Sequence, residues 1–259
     1  MIRVHHINCG TLIVPGYPTV VCHCLLLEHA GGLTLVDSGI GLAEVRDPVG
    51  RLGQPLIDLA GFQFHEADTA VRRIEALGLN PRHVNHIVLT HGDPDHAGGL
   101  ADFPQAEIHV SAEELVQIQS GHWRYVPKQF EHQPKWNPLG SSSRSWFGLE
   151  ARLAWVEGES EVLLIPLPGH TPGHCGVAIR QGDRWMLHAG DAYYLRAELT
   201  TDDHPVSALA AQRADNDELR RSSLAQLRRL ARNHADVIEI MGYHDISELP
   251  VSKRIGPAR

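Results

Sequence analysis

The stretch Thr90-His91-Gly92-Asp93-Pro94-Asp95-His96-Ala97-Gly98-Gly99 places two imidazoles and two carboxylates within six residues. Carboxylates this close repel one another, and both groups are costly to desolvate without a positive partner. A divalent cation removes that conflict by taking them as ligands. The apolar run Ile87-Val88-Leu89 comes just before, so the donors hang from the end of a buried strand. Three later points repeat the arrangement. Gly169-His170-Thr171-Pro172-Gly173-His174 follows one strand, His188-Ala189-Gly190-Asp191 ends another, and His244 follows the last. Donors on loops at the ends of separate strands are how a rigid scaffold assembles a metal site.

The elements that must position these donors are read from periodicity. Val4 to Cys9, Val20 to Leu27 and Leu33 to Val36 read as strands, with Gly31-Gly32 as a hairpin turn. Asp68 to Leu77 reads as a helix with Ala70, Val71, Ile74 and Leu77 at helical spacing, Asp68 as its cap and Gly78 as its stop. His86 to Leu89 is a short strand feeding the ligand loop, and Ala97-Gly98-Gly99 starts a short helix. Glu107 to Val110 is a strand. Ser111 to Gln119 is a helix, with Ser111 as N-cap and Glu114 three residues on. Further strands are expected at Arg152 to Val156, Glu161 to Pro166, Cys175 to Arg180, Arg184 to His188 and Asp236 to Met241. Val206 to Asn233 is mostly helical, with Leu209, Leu219, Leu224, Leu227 and Leu230 as a core-facing stripe. From Gly121 to Phe147 periodicity disappears, yet the stretch holds Trp123, Tyr125, Phe130, Trp136, Trp146 and Phe147. That aromatic content argues against disorder. It reads as an excursion covering the mouth of the site, as an oligomer contact, or as an aromatic mini-core. Two β-rich halves, each carrying helices, suggest an α/β fold, a four-layer αββα sandwich, in one domain over residues 1–259.

Bulk composition is that of an ordinary soluble globular protein, at 42% hydrophobic and 21% charged. A formal charge of −8 makes nucleic acid and anionic membranes poor partners. No apolar run approaches the roughly 20 residues that span a bilayer. The N-terminal stretch has no apolar secretion segment, so a cytoplasmic location is expected. Cys9, Cys22, Cys24 and Cys175 are too few for a disulfide scaffold. Cys22-His23-Cys24 could suggest zinc, but it lies in a strand, where alternation sends His23 to the opposite face from two buried thiols.

The donor stretches together, with Leu33-Thr34-Leu35-Val36-Asp37-Ser38-Gly39 upstream, resemble the metallo-β-lactamase superfamily. Its usual signature is His-x-His-x-Asp-His, then Gly-His-Thr-x-Gly-His, an Asp closing a strand, and a C-terminal His. The resemblance implies the αββα sandwich with two divalent metal ions between the halves. It implies that His91, Asp93 and His170 hold the first ion and that Asp95, His96 and His244 hold the second. Asp191 would bridge the two, together with a hydroxide. His174 would be structural, and Asp37 would orient the ligand loop from behind. His188 reads as a buried, hydrogen-bonded core residue.

The chain departs from that signature at Asp93, where the family usually has histidine. Two divalent ions carry four positive charges, and three carboxylates with a hydroxide cancel them all. The histidine version would keep one positive charge. A neutral core is a weaker Lewis acid, and a carboxylate is a harder ligand. Zinc is the expected metal, with iron or manganese as alternatives on account of Asp93. Alternatively, the first site binds weakly and one metal suffices.

Asp191-Ala192-Tyr193-Tyr194 narrows the reading. In the N-acyl-homoserine-lactonase-like branch, a tyrosine three residues after the bridging Asp assists the substrate carbonyl, and Tyr194 matches. The opening His5-His6-Ile7-Asn8-Cys9-Gly10-Thr11 also resembles this branch. The resemblance thus implies a hydrolase of a small molecule with an ester-like bond, a lactone first. A hydroxide would attack, Tyr194 would stabilise the oxyanion, and Asp95 would shuttle the proton. A homodimer is a family expectation. Thioester hydrolysis of the glyoxalase II type and β-lactam hydrolysis are the alternatives on the same centre. An alternative of another class is diiron redox chemistry, since flavodiiron proteins also carry a carboxylate, usually Glu, at this position.

Overall fold

Short β-branched and leucine-rich runs, punctuated by glycine and proline, build two packed sheets. The computed structural model describes residues 2–158 and 160–250. The first sheet contains β1 (Arg3–Leu12), β2 (Val20–His29), β3 (Gly32–Val36), β4 (Phe62–Gln63), β5 (Val84–Val88), β6 (Glu107–Ser111) and β7 (Lys135–Leu139), in the order β4-β1-β2-β3-β5-β6-β7. A small hairpin, β8 (Ser145–Trp146) and β9 (Leu149–Glu150), leads to the second sheet. That sheet orders β10 (Arg152–Glu157), β11 (Ser160–Pro166), β12 (Cys175–Gln181), β13 (Arg184–His188) and β14 (Ile238–Met241) as they occur in the chain. The helices are α1 (Leu42–Arg46), α2 (Pro48–Leu52), α3 (Gln54–Ala60), α4 (Ala70–Ala76), α5 (Pro94–Ala97), α6 (Ala112–Gln119), α7 (Val206–Arg213) and α8 (Asp217–Asn233).

The core lies in three layers of contact, which makes the molecule the expected αββα sandwich. Cys24, Leu26, Leu35, Ile87 and Ile108 face the outer helices and pack with Ile74. Leu25, Leu27, Val36 and Val88 face inward and meet Val162, Leu164, Val177 and Ile179 of the second sheet. On the far side, Leu163, Ile165 and Leu187 pack with Leu224, Leu227 and Leu230 of α8. β2 is buried on both faces, which explains its unbroken apolar run. Cys22 and Cys24 are buried thiols on one face, as alternation predicts, and His23 turns to the other against His6 and His188.

Several local expectations are corrected. Asp68 does not cap α4; it pairs with Arg73 at 2.5 Å, and Thr69 takes the N-cap position. Val206 to Asn233 breaks into two helices because Asn216 caps α8, accepting from the Leu219 amide at 3.0 Å. Of the leucine stripe, Leu219 is exposed and Leu209 lines a cavity. The stretch 121–147 is partly regular. Residues 135–139 form β7, parallel to β6 at the sheet edge, where Pro138 is tolerated. Phe130 and Trp136 pack on the first core, and Trp146 joins the far core. Only its start, Trp123 to Pro127, reaches the cavity. Helices α1 to α3 have five to seven residues each, too short for helical periodicity to register.

Candidate metal centre

Four chain segments, around 91–96, 170, 191 and 244, deliver donors to one edge of the sandwich. β5 ends at Val88, and the loop after it is anchored from behind by Asp37. One Asp37 oxygen accepts from the Thr90 amide at 2.7 Å, and the other accepts from the Thr90 hydroxyl at 2.8 Å. At Gly92 the backbone packs closely on α6, where a Cβ would lie 2.8 Å from the Ile118 side chain. The Gly92 amide donates to Glu114 Oε1 at 2.8 Å. Pro94 then opens α5, which turns Asp95 and His96 back toward the cleft. Gly99 lets the chain pass the Ser38 carbonyl, which a Cβ would approach to 2.4 Å. Gly169, before His170, is likewise pressed against the α8 backbone at Arg220.

The sequence-predicted donors converge in two groups. His91, His170 and Asp191 form one, and Asp95, His96 and His244 form the other. Asp191 touches both: Oδ2 lies 3.4 Å from His170 Nε2 and 3.2 Å from His244 Nε2, and Oδ1 lies 3.3 Å from His96 Nε2. Asp95 Oδ2 stands 3.8 Å from His96 Nε2 and 3.7 Å from His244 Nε2. These separations suit donors sharing an ion that sits about 2.0–2.2 Å from each.

Ring orientation is fixed by the nitrogen facing away. His96 Nδ1 donates to Asp37 Oδ2 at 2.9 Å, and His244 Nδ1 donates to the Val21 carbonyl at 3.0 Å. Both rings therefore present Nε2 to the cleft. His91 Nε2, His96 Nε2 and Asp191 Oδ1 are buried with no hydrogen-bond partner among the described residues. Buried polar atoms are nearly always paired, so three orphans facing one space fit a pair of cations.

The electrostatics agree. Burial resists charge on His96, but Asp191, Asp95 and Asp37 outweigh it and raise its pKa well above the ordinary value. Burial also opposes charge on His244, and Asp191 again prevails. His91 is held neutral, first by burial and then by His96. Burial raises the Asp95 pKa against the pull of His96 and His244. The carboxylates thus demand positive charge, which histidine protons meet only in part.

Asp93 behaves differently from the expected first-site ligand. It lies 3.4 Å from His91 Nε2 and 3.1 Å from His170 Nε2, within reach of the first group. Both of its oxygens, however, are gripped by Arg124. The same guanidinium places Nη2 2.6 Å from His170 Nε2 and reaches Asp215 at 3.3 Å and the Arg213 carbonyl at 2.6 Å. Burial works against ionised Asp93, yet Arg124 drives its pKa well below the usual carboxylate range. Arg124 offsets the charge of Asp93, a cation that the count from sequence left out; with two divalent ions and a hydroxide bound, the sum would then be one positive charge rather than zero. Spacing could not find Arg124, because it lies in the aperiodic stretch. The surplus carboxylate was the one signal, since it calls for a cation of its own.

Glu114 was read only as part of a helix start. Ser111 does cap α6, accepting from the Glu114 amide at 3.1 Å. The Glu114 carboxylate, however, accepts from the Gly92 amide, from the Tyr125 hydroxyl at 2.8 Å and from the Thr171 hydroxyl at 2.6 Å. It thereby ties three loops of the site together. His174 is structural in the same sense: Nδ1 donates to the Leu167 carbonyl, and Nε2 accepts the Asp191 amide at 2.9 Å. His188 donates to the His23 carbonyl at 2.8 Å, as a core residue. The two tyrosines after Asp191 separate. Tyr193 is buried and donates to Glu248 at 2.9 Å. Tyr194 stands over the site, its ring 6.0 Å from that of His170 and 5.3 Å from that of His244. Burial, then Asp191, raises its pKa well above the ordinary value, so its hydroxyl keeps its proton.

Residues 17–239 match the metallo-beta-lactamase superfamily. The chain belongs to this superfamily. A probable metallo-hydrolase of Mycobacterium tuberculosis is 41% identical over 210 residues, covering 76% of this chain. The match spans only 64% of that relative's length. The N-acyl homoserine lactonase AttM of Rhizobium radiobacter is 29% identical over 175 residues, 65% of this chain and 64% of that protein. Among solved structures, an N-acyl homoserine lactone hydrolase with N-hexanoyl-L-homoserine at its catalytic metal centre superposes with a TM-score of 0.72. It is 22% identical, and the match covers 95% of this chain and 94% of that one, which establishes the superfamily's fold. Among the described residues, no helix is long and apolar enough to cross a membrane.

Proposed function

We propose that the chain is a metal-dependent hydrolase that opens an uncharged ester-like bond, a lactone bearing an acyl tail. The observation that carries this reading is a cavity of about 620 Å³ with the donor cluster on its floor. Its walls are apolar and include Leu12, Val14, Leu56, Leu59, Phe62 and Trp123, which suits a hydrocarbon tail. Asp93, Asp95, His170, Asp191, Tyr194 and His244 face the same space. The similarity to an N-acyl homoserine lactonase supports the substrate class.

His91, His170 and Asp191 would hold one ion, and Asp95, His96 and His244 the other, with Asp93 beside the first group. Zinc suits this nitrogen and oxygen set. Divalent ions, when bound, supply a Lewis acid for the carbonyl and a hydrolytic water active near neutral pH. The Tyr194 hydroxyl donates a hydrogen bond to the carbonyl oxygen as negative charge develops there. Asp95 carries a proton to the leaving ring oxygen. The apolar walls seat the tail and hold the carbonyl against the polar floor.

A screen of the zinc-loaded chain against an acyl lactone, a thioester and a chromogenic β-lactam tests the reading. Lactone opening should dominate by at least an order of magnitude. Thioester or β-lactam turnover without lactone opening would reassign the substrate. Coloured, iron-containing protein with no esterase activity would replace hydrolysis with redox chemistry.

A further inference from the structure

A second cluster of metal-ligating side chains lies away from this centre. β5 and β6 run parallel, with His86 opposite Glu107 in the register. His109 lies two residues beyond Glu107 and so projects from the same face. His86 Nδ1 is 3.0 Å from His109 Nε2 and 3.8 Å from Glu107 Oε2, and His109 Nε2 is 3.5 Å from Glu107 Oε2. A tetrahedral ion bound at about 2.0–2.2 Å needs ligand atoms roughly 3.3–3.6 Å apart. The three separations bracket that range without any rearrangement of backbone.

We propose that His86, Glu107 and His109 form a binding site for a zinc-like transition-metal cation, with water completing the coordination. Two imidazole nitrogens and one carboxylate oxygen suit zinc rather than calcium or magnesium, which take oxygen ligands. His86 lies in the middle of β5, whereas His91 follows the end of that strand.

The surroundings favour binding over a chance encounter of side chains. His109 is almost wholly buried, which holds its ring in place between the strands. His109 Nδ1, the nitrogen facing away, lies 3.2 Å from Asn137 Nδ2 on β7; turning that amide over would set its oxygen to accept from Nδ1–H and leave Nε2 free to ligate. Trp155 of the opposite sheet stacks on His86, with ring centroids 5.9 Å apart and planes 19° apart. Glu107 is half-exposed and opens the cluster to solvent, giving an ion a way in. A bound ion would fasten two neighbouring strands of the first sheet and raise its resistance to unfolding.

The test counts zinc in the full chain and in its His86→Ala and Glu107→Gln forms, equilibrated at equal free zinc and analysed by elemental mass spectrometry. The parent should hold one more ion per chain than His86→Ala. Glu107→Gln should need about tenfold or more free zinc for the same occupancy. Ions at the His91–His244 centre cancel in this comparison, so the difference is independent of how that centre is filled. An anomalous-scattering peak between the three side chains in crystals of the zinc-loaded parent should accompany the count. Equal zinc content in all three proteins, with no such peak, would reduce the cluster to an interstrand hydrogen bond.

Discussion

Arg124 holds Asp93 through both carboxylate oxygens, with Nε 2.5 Å from Oδ1 and Nη2 2.8 Å from Oδ2. Asp93 occupies the N-cap position of α5 but makes no capping bond, because its carboxylate is committed to the guanidinium. Arg124 also reaches His170, so one side chain from the 121–147 stretch joins the first donor group to the ligand loop.

Removing that guanidinium leaves a buried carboxylate without a partner. Arg124→Ala should lower the stability of the metal-free protein by about 3 kcal/mol. Added zinc should recover more stability in the variant than it adds to the parent, because Asp93 regains a cation. Arg124→Lys should fall between them, keeping the charge but losing the two-pronged contact. Thermal melts with and without zinc measure this. If Arg124→Ala melts with the parent in the absence of metal, the pair contributes nothing to the fold.

Asp37 is fully buried and holds His96 Nδ1 at 2.9 Å and Thr90 at both its amide and its hydroxyl. Asp37→Asn removes an acceptor from His96 and frees its ring to rotate. Metal affinity at the Asp95-His96-His244 group should drop by about 10- to 100-fold. Competition with a fluorescent zinc chelator reads this directly, and unchanged affinity would remove Asp37 from the site.

Tyr194 should act on turnover and leave metal content alone. Tyr194→Phe removes the hydroxyl of a ring that stands beside both donor groups and keeps the ring. A fall in kcat of about a hundredfold, with zinc content and KM nearly constant, is the expected result. Full lactone turnover by this variant would exclude the hydroxyl from the reaction.

Glu114 gives the metal-free protein a pH signature. Burial pushes its pKa up to about 7, against hydrogen bonds from Thr171, Gly92 and Tyr125. The folded chain therefore binds a proton that the unfolded chain has released. Stability from this group is full below the ordinary glutamate pKa and is lost as pH rises to about 7, by about 3 kcal/mol in all. Glu114→Gln should flatten that decline in chelator-treated protein. Denaturant midpoints measured across pH 4 to 8 provide the comparison, and parallel curves for parent and variant would reject the assignment.

Much of this protein was determined by its sequence alone. Alternating and helical periodicities located most strands and the longer helices, because those patterns follow from which side chains must leave water. The donors at 91–96, 170, 191 and 244 were legible because each follows the end of an apolar run, and strand ends are where a packed scaffold presents side chains. Short helices such as α1 escaped notice, since five residues cannot complete a recognisable period.

Tertiary structure alone decided the electrostatics. Arg124 lies 31 residues from Asp93. Glu114 lies 22 residues from Gly92 and 57 from Thr171. No local rule links such positions; they meet because α6 and the loop after it fold back over the end of β5. A charge count from sequence sees the carboxylates and not the guanidinium that folding brings to one of them. Coulomb energies depend on separation and burial, and both exist only once the chain has packed.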